Sequence, residues 1–145
     1  MKCIAIVLYL LCQHNALNQN AWLLAQYTCT YTKKYNVDLL LTLSLMWNES
    51  RFKHSSYPNR VKDYGIMQLH CPYKKYSWWC YTCNFKELEC NIHMGIRLLH
   101  RLKNKCIKNH KHKRGIHWIR HYNWNSKEYD KKILRYKKVL KEMVS

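Results

Sequence analysis

The sequence predicts a single, mainly α-helical domain with a small loop or β-hairpin inserted after Glu49. Three observations carry that expectation. The chain has 145 residues, 48% hydrophobic and 23% charged, which suits one packed domain of ~100–200 residues. Apolar residues recur at helical spacing through Asn91–Ile107 and again from Tyr129 onward, the pattern of a helix with one buried face. Between Leu39 and Trp47 nearly every residue is apolar, as in a helix enclosed on all sides.

The elements follow in order. Lys2, the apolar run Ile4–Leu11 and the polar Gln13-His14-Asn15 read as a secretory leader over residues 1–16. His14 sits where an A-x-A cleavage signal would place a small residue, so an ordinary first helix is the alternative. The domain proper is then residues 17–145. Residues 17–35 form a helix around Ala21-Trp22-Leu23-Leu24-Ala25, and Asn36-Val37-Asp38 interrupts it, with Asp38 placed to cap the next helix. Residues 51–65 are polar and read as a loop or hairpin. Tyr73, Tyr76, Trp78, Trp79 and Tyr81 lie among cysteines in an aromatic loop. The helix Asn91–Ile107 carries Ile92, Ile96, Leu99, Leu102 and Cys106 on one face. A basic stretch, Lys108–Arg114, leads to Gly115 and a short segment, Ile116–Trp124. The last helix shows Tyr129, Ile133, Tyr136, Leu140 and Met143 on its apolar face, which reads as docked on the core. No apolar run approaches the ~18–20 residues of a membrane span.

Lys and Arg number 26 against 8 Asp and Glu, a formal charge of +18. Such a surface attracts polyanions, whether nucleic acid, anionic lipid or acidic cell wall, or simply stays solvated. No helix-turn-helix, zinc-finger or RNA-binding signature is present, so no specific nucleic-acid partner is expected. Eight cysteines in so short a chain suggest an oxidising compartment, secreted or periplasmic. Removing residues 1–16 would take Cys3 and Cys12 and leave an even set. Cys71, Cys80, Cys83, Cys90 and Cys106 fall close together, and at least two disulfides are expected among them. Cys80-Tyr81-Thr82-Cys83 lacks the second ligand pair of a structural zinc site, so no metal is expected.

The short list of acids narrows the chemistry. Asp38 has a capping role, and Glu87 and Glu89 lie in a polar stretch. Glu128, Asp130 and Glu142 sit among lysines, which hold carboxylates ionised. Glu49 differs because it ends an apolar helix directly after Trp47 and Asn48. Desolvation there raises a carboxyl pKa, as a general acid near neutral pH requires.

The neighbours of Glu49 add a pattern. Glu49-Ser50-Arg51-Phe52 fits E-S-x-F, and Gly65-Ile66-Met67-Gln68 fits G-[LI]-M-Q. Asn91-Ile92-His93-Met94-Gly95 fits N-I-x-x-G, and Tyr122-Asn123 begins Y-N-x-G. In this order and spacing the chain resembles the soluble lytic transglycosylase (SLT) domain of the lysozyme-like superfamily, related to goose-type lysozymes, over roughly residues 20–140. The resemblance implies a mainly α, lysozyme-like fold of the α+β kind. It also implies cleavage of the MurNAc–GlcNAc bond of peptidoglycan strands with formation of 1,6-anhydro ends, and it calls for no cofactor. By the same resemblance Glu49 is catalytic, and Ser56, Met67, Gln68, Tyr122 and Asn123 bind substrate, Tyr122 also orienting Glu49.

The chain departs from the pattern in places. Trp124-Asn125 replaces the end of Y-N-x-G, and Pro72 falls one residue late. Asp63-Tyr64-Gly65 is similar to the D-Y-G of animal-type lysozymes and of small transglycosylases attached to secretion systems. Asp63 is therefore a candidate second carboxylate, and a hydrolytic lysozyme is an alternative. A basic wall-binding or nucleic-acid-binding module without activity is another. A phage tail or a secretion or conjugation apparatus is the kind of machine that would carry such an enzyme, in the first case on the virion.

Overall fold

Asp38 opens the central helix as its sequence position suggests. Its side chain accepts a hydrogen bond from the Leu41 N–H at 2.8 Å, and helix α3 follows over Leu39–Ser50. Burial pushes the Asp38 carboxyl up, but donation from Lys137 and the Leu41 N–H outweighs it and leaves the pKa below its ordinary value. Leu43, Leu45 and Met46 have no exposed surface. Two polar residues are buried with them. The Thr42 hydroxyl donates to Asp38 O at 2.9 Å and the Ser44 hydroxyl to Leu40 O at 2.6 Å, so neither is left unpaired.

The computed structural model describes residues 2–71, 83–108, 118–123 and 128–145. The aromatic loop at Tyr73–Tyr81, Cys80, the basic stretch after Lys108 and Trp124-Asn125 lie outside the described residues. Those described hold α1 (Lys2–Gln13), α2 (Ala21–Tyr35), α3, the strands β1 (Asp63–Tyr64) and β2 (Leu69–His70), α4 (Leu88–Lys108), a 3-10 helix (Trp118–Asn123) and α5 (Tyr129–Met143). The protein is thus mainly helical, with an antiparallel hairpin among the described residues in which Asp63 faces His70 and Tyr64 faces Leu69. None of the described helices is long and apolar enough to cross a membrane.

Helix α2 ends at Asn36, whose φ of 50° is left-handed and lets its N–H reach back to the last turn. Helix α4 lies along α2. The Tyr31 hydroxyl donates to Glu89 Oε1 at 2.7 Å, Tyr35 Oη and His93 Nε2 are 2.7 Å apart, and the Tyr31 ring stacks on His93. Helix α5 packs its Ile133 and Leu140 into the core, and Lys137 reaches Asp38 Oδ2 at 2.7 Å.

Helix α1 covers α2, with Val7, Leu10 and Leu11 fully buried and Cys3 bonded to Cys29. His14, beyond its end, packs its ring on Trp47 with centroids 4.4 Å apart and meets the Tyr136 hydroxyl through Nε2 at 2.5 Å. Desolvation and then the nearby Arg51 charge lower the His14 pKa. A second disulfide joins Cys83 to Cys90, and Cys71 is also disulfide-bonded. Cys106, on the apolar face of its helix, is a free thiol only 2% exposed.

Candidate active site

Glu49 lies in the last turn of α3, half-buried because the helix that carries it is enclosed. The chain leaves this helix abruptly. Arg51 and Phe52 have φ of 55° and 60°, a left-handed pair that sends the Phe52 ring into the core at 1% exposure. Ser50, the neighbour of Glu49, joins the helix to the next segment. Its Oγ lies 3.0 Å from Met46 O and 2.9 Å from Ile66 O, sharing its proton between the helix and the hairpin turn.

That turn is Gly65-Ile66-Met67-Gln68, which links β1 to β2. Gly65 has φ of +66° and is buried against Asn91, so an added Cβ would fall 2.4 Å from Asn91 Cγ. Only glycine meets both demands. Asn91, fully buried on α4, accepts from the Met67 N–H at 2.9 Å and donates to Tyr64 O at 2.8 Å and Phe85 O at 3.3 Å. One turn further along α4, Gly95 leaves room for Met67; a Cβ there would fall 2.6 Å from Met67 Cε. The G-[LI]-M-Q and N-I-x-x-G segments therefore fit each other, and Ser50 ties both to the helix bearing Glu49.

Tyrosines close the site from the other side. The Tyr129 hydroxyl, at the first position of α5, donates to Glu49 Oε1. Asn48 Nδ2 donates to the same oxygen at 3.1 Å. Tyr122 was expected to orient Glu49, but its hydroxyl donates instead to Met67 O at 2.6 Å, because the 3-10 helix sets it above the hairpin turn. Met67 is fully buried, so its side chain supports the turn and its carbonyl is engaged by Tyr122.

The electrostatics set Glu49 apart from the capping Asp38, whose pKa is lowered. Desolvation raises its pKa, and the negative charge of Asp63 raises it further; bonds from Tyr129 and Asn48 and the charge of Lys132 work against this without cancelling it. Burial and the Glu49 charge hold the Tyr129 and Tyr122 hydroxyls protonated far above the ordinary range, so both remain donors. Glu49 is thus a desolvated carboxyl with a raised pKa and two side-chain donors on one oxygen.

The other expected residues are distributed around this centre. Asp63 Oδ1 lies 2.7 Å from His70 Nδ1, and Asp63 Oδ2 accepts from Asn59 Nδ2 at 3.1 Å. Gln68, at φ of 47°, donates to Gly65 O at 2.7 Å and accepts from Asn59 at 3.0 Å, so its amide is fastened within the turn. Ser56 is exposed, its hydroxyl 3.3 Å from Lys86 O, and Asn123 is exposed at the end of the 3-10 helix. Among the described residues no three His, Cys, Asp or Glu side chains converge as a metal site.

The sequence pattern did not single out Tyr129. It heads the apolar face of α5, where periodicity assigns a packing role, and nothing in the spacing reveals that its hydroxyl reaches α3. Neither the curated proteins nor the solved structures yield a match. The family model of the transglycosylase SLT domain matches residues 26–142, from within α2 to the last turn of α5. The span includes Glu49, the hairpin turn, Asn91, Gly95 and both tyrosines, and the chain belongs to the transglycosylase SLT domain family.

Proposed function

We propose that the protein is a peptidoglycan lytic transglycosylase that cleaves the MurNAc–GlcNAc β-1,4 bond and leaves 1,6-anhydro-MurNAc ends. The observation that carries this reading is the setting of Glu49: desolvated, with its pKa raised, and accepting a hydrogen bond from Tyr129. Such a carboxyl can protonate the glycosidic oxygen as the bond breaks. As a carboxylate it then takes the proton from the sugar's C6 hydroxyl, which closes on the anomeric carbon. The substrate's own N-acetyl group can stabilise the cationic intermediate, as in the substrate-assisted exceptions to two-carboxylate glycosidases. Asp63 fits this division of labour, since both its oxygens are engaged, by His70 and by Asn59. The disulfides suit work in an oxidising compartment, outside the cytoplasm.

The action of the Asp63 charge on Glu49 favours a second reading, a hydrolase in which Asp63 directs water. The products separate the two. Muropeptides released from purified sacculi are expected to carry anhydro ends, lighter by one water than hydrolytic products, from both the parent and Asp63→Asn. Reducing ends from the parent that disappear in Asp63→Asn would establish the hydrolase instead. Glu49→Gln is expected to lose about 10²–10⁴-fold in rate, the usual contribution of a general acid. Undiminished digestion by Glu49→Gln would remove the basis of both readings.

A further inference from the structure

Arg120 and Asp130 form an ion pair that the chemistry at Glu49 does not itself require. Arg120 Nη2 lies 3.1 Å from both Asp130 carboxylate oxygens, and the side chains are only 17% and 6% exposed. Asp130 Oδ1 also accepts the Lys131 N–H at 3.0 Å, which anchors the carboxylate to the first turn of α5. The pair therefore fixes the start of α5 against the 3-10 helix. Each partner sits beside a tyrosine of the site. Tyr122, two residues after Arg120, holds Met67 O, and Tyr129, directly before Asp130, holds Glu49.

A buried ion pair is a poor way to gain stability, because the cost of stripping water from both charges offsets their attraction. It does impose one geometry on two backbones. We propose that the Arg120–Asp130 pair is a positioning device that sets the Tyr129 hydroxyl on Glu49 in register with Tyr122 on the hairpin turn. The inference rests on Glu49 as the acid and adds the residues that aim it. A displacement of about 1 Å in a catalytic constellation can cost ~10²-fold in rate.

The pH dependence gives a readout that a purely structural role would not move. Glu49 is faced by Tyr129 and Lys132 from α5, Asp63 from β1, Tyr122 from the 3-10 helix and the neutral Asn48 from its own helix. Tyr129 donates to the carboxylate and so favours the charged form. When that bond is lost, the acid keeps its proton to higher pH, and the alkaline limb of kcat moves upward.

The test compares Arg120→Met/Asp130→Leu, Tyr129→Phe and their combination on purified sacculi, with folding checked by circular dichroism. The ion-pair variant is expected to lose about tenfold or more in kcat with little change in KM. Its alkaline limb should move upward as in Tyr129→Phe, and the combined variant should be no worse than Tyr129→Phe alone. A parental kcat and pH profile with only a changed melting temperature would overturn the proposal, as would losses that multiply in the combination. Should the double replacement fail to fold, Asp130→Asn keeps the shape and is expected to shift the same limb by a smaller amount; a parental profile there overturns the proposal equally. Glu49→Gln, run in parallel, separates this inference from the assignment of the acid. If it retains activity the acid is misassigned, and if it is inactive while the ion-pair variants behave as the parent, only the positioning role fails.

Discussion

Asn91→Ala tests whether the hairpin turn is held by a single side chain. The asparagine is fully buried and satisfies three backbone groups: the Met67 N–H at 2.9 Å, Tyr64 O at 2.8 Å and Phe85 O at 3.3 Å. Alanine removes the partner of all three groups at a fully buried position. A buried backbone group left unpaired costs about 1–3 kcal/mol. The two short bonds then dominate, and the long one adds little, for a total of about 2–6 kcal/mol. That is a large part of the ~5–15 kcal/mol that holds a typical domain together. Urea unfolding followed by tryptophan fluorescence gives the difference directly, with Asn104→Ala, an exposed asparagine on the same helix, expected to stay within ~0.5 kcal/mol. Activity on sacculi should fall even at temperatures where Asn91→Ala remains folded, because Met67 O would no longer be held under Tyr122. A loss below ~1 kcal/mol would refute the reasoning.

Glu49→Gln is expected to be more stable than the parent at neutral pH. The folded-state pKa of Glu49 is raised, so the stability it contributes is present below the ordinary carboxylate value and lost as pH rises through the raised one. The gain should shrink as pH falls from the raised value to the ordinary one and be absent below it, which thermal melts across pH would show. Gly95→Ala should destabilise, because the Cβ meets Met67 Cε, Cγ and Cβ at 2.6–2.8 Å; overpacking costs about 1–3 kcal/mol, against ~1 kcal/mol of helix propensity regained. Chain-entropy arithmetic gives the Cys3–Cys29 disulfide, with a separation of 26 residues, about 3.5 kcal/mol and Cys83–Cys90, with a separation of 7, about 2.4 kcal/mol. Cys3→Ser should therefore lower the melting temperature more than Cys83→Ser. Non-reducing peptide mapping should recover the Cys3–Cys29 pair, whereas removal of residues 1–16 before oxidation would leave Cys29 without that partner.

The parts of the fold legible in the sequence are those governed by local rules. Asp38 announces a cap, the apolar run after it announces an enclosed helix, and the faces of α4 and α5 follow from period alone. Glu49 stands out by the same means, as an acid that ends an apolar element. Contacts across long separations were not legible. The hydroxyls of Tyr122 and Tyr129 are separated by six residues of sequence, yet each could serve Glu49 as far as spacing tells. Which one does depends on how the 3-10 helix and α5 are laid against α3. The Arg120–Asp130 pair was hidden for a related reason: in sequence Asp130 lies among lysines, and the partner it meets is ten residues upstream. Cys106 belongs with the legible parts, since helix phase alone directs it inward.

The mutual fit of Gly65 with Asn91 and of Gly95 with Met67 has a consequence for how this loop can change. Each glycine is small because of a residue in the other segment, and Asn91 is fastened to the Met67 backbone as well. No member can be enlarged without a matching reduction in its partner, so single substitutions meet a barrier that paired ones avoid. The unit that can be transplanted into another scaffold is accordingly the turn and its facing stretch of α4 together. A graft of Gly65–Gln68 alone would arrive without the side chain that shapes it.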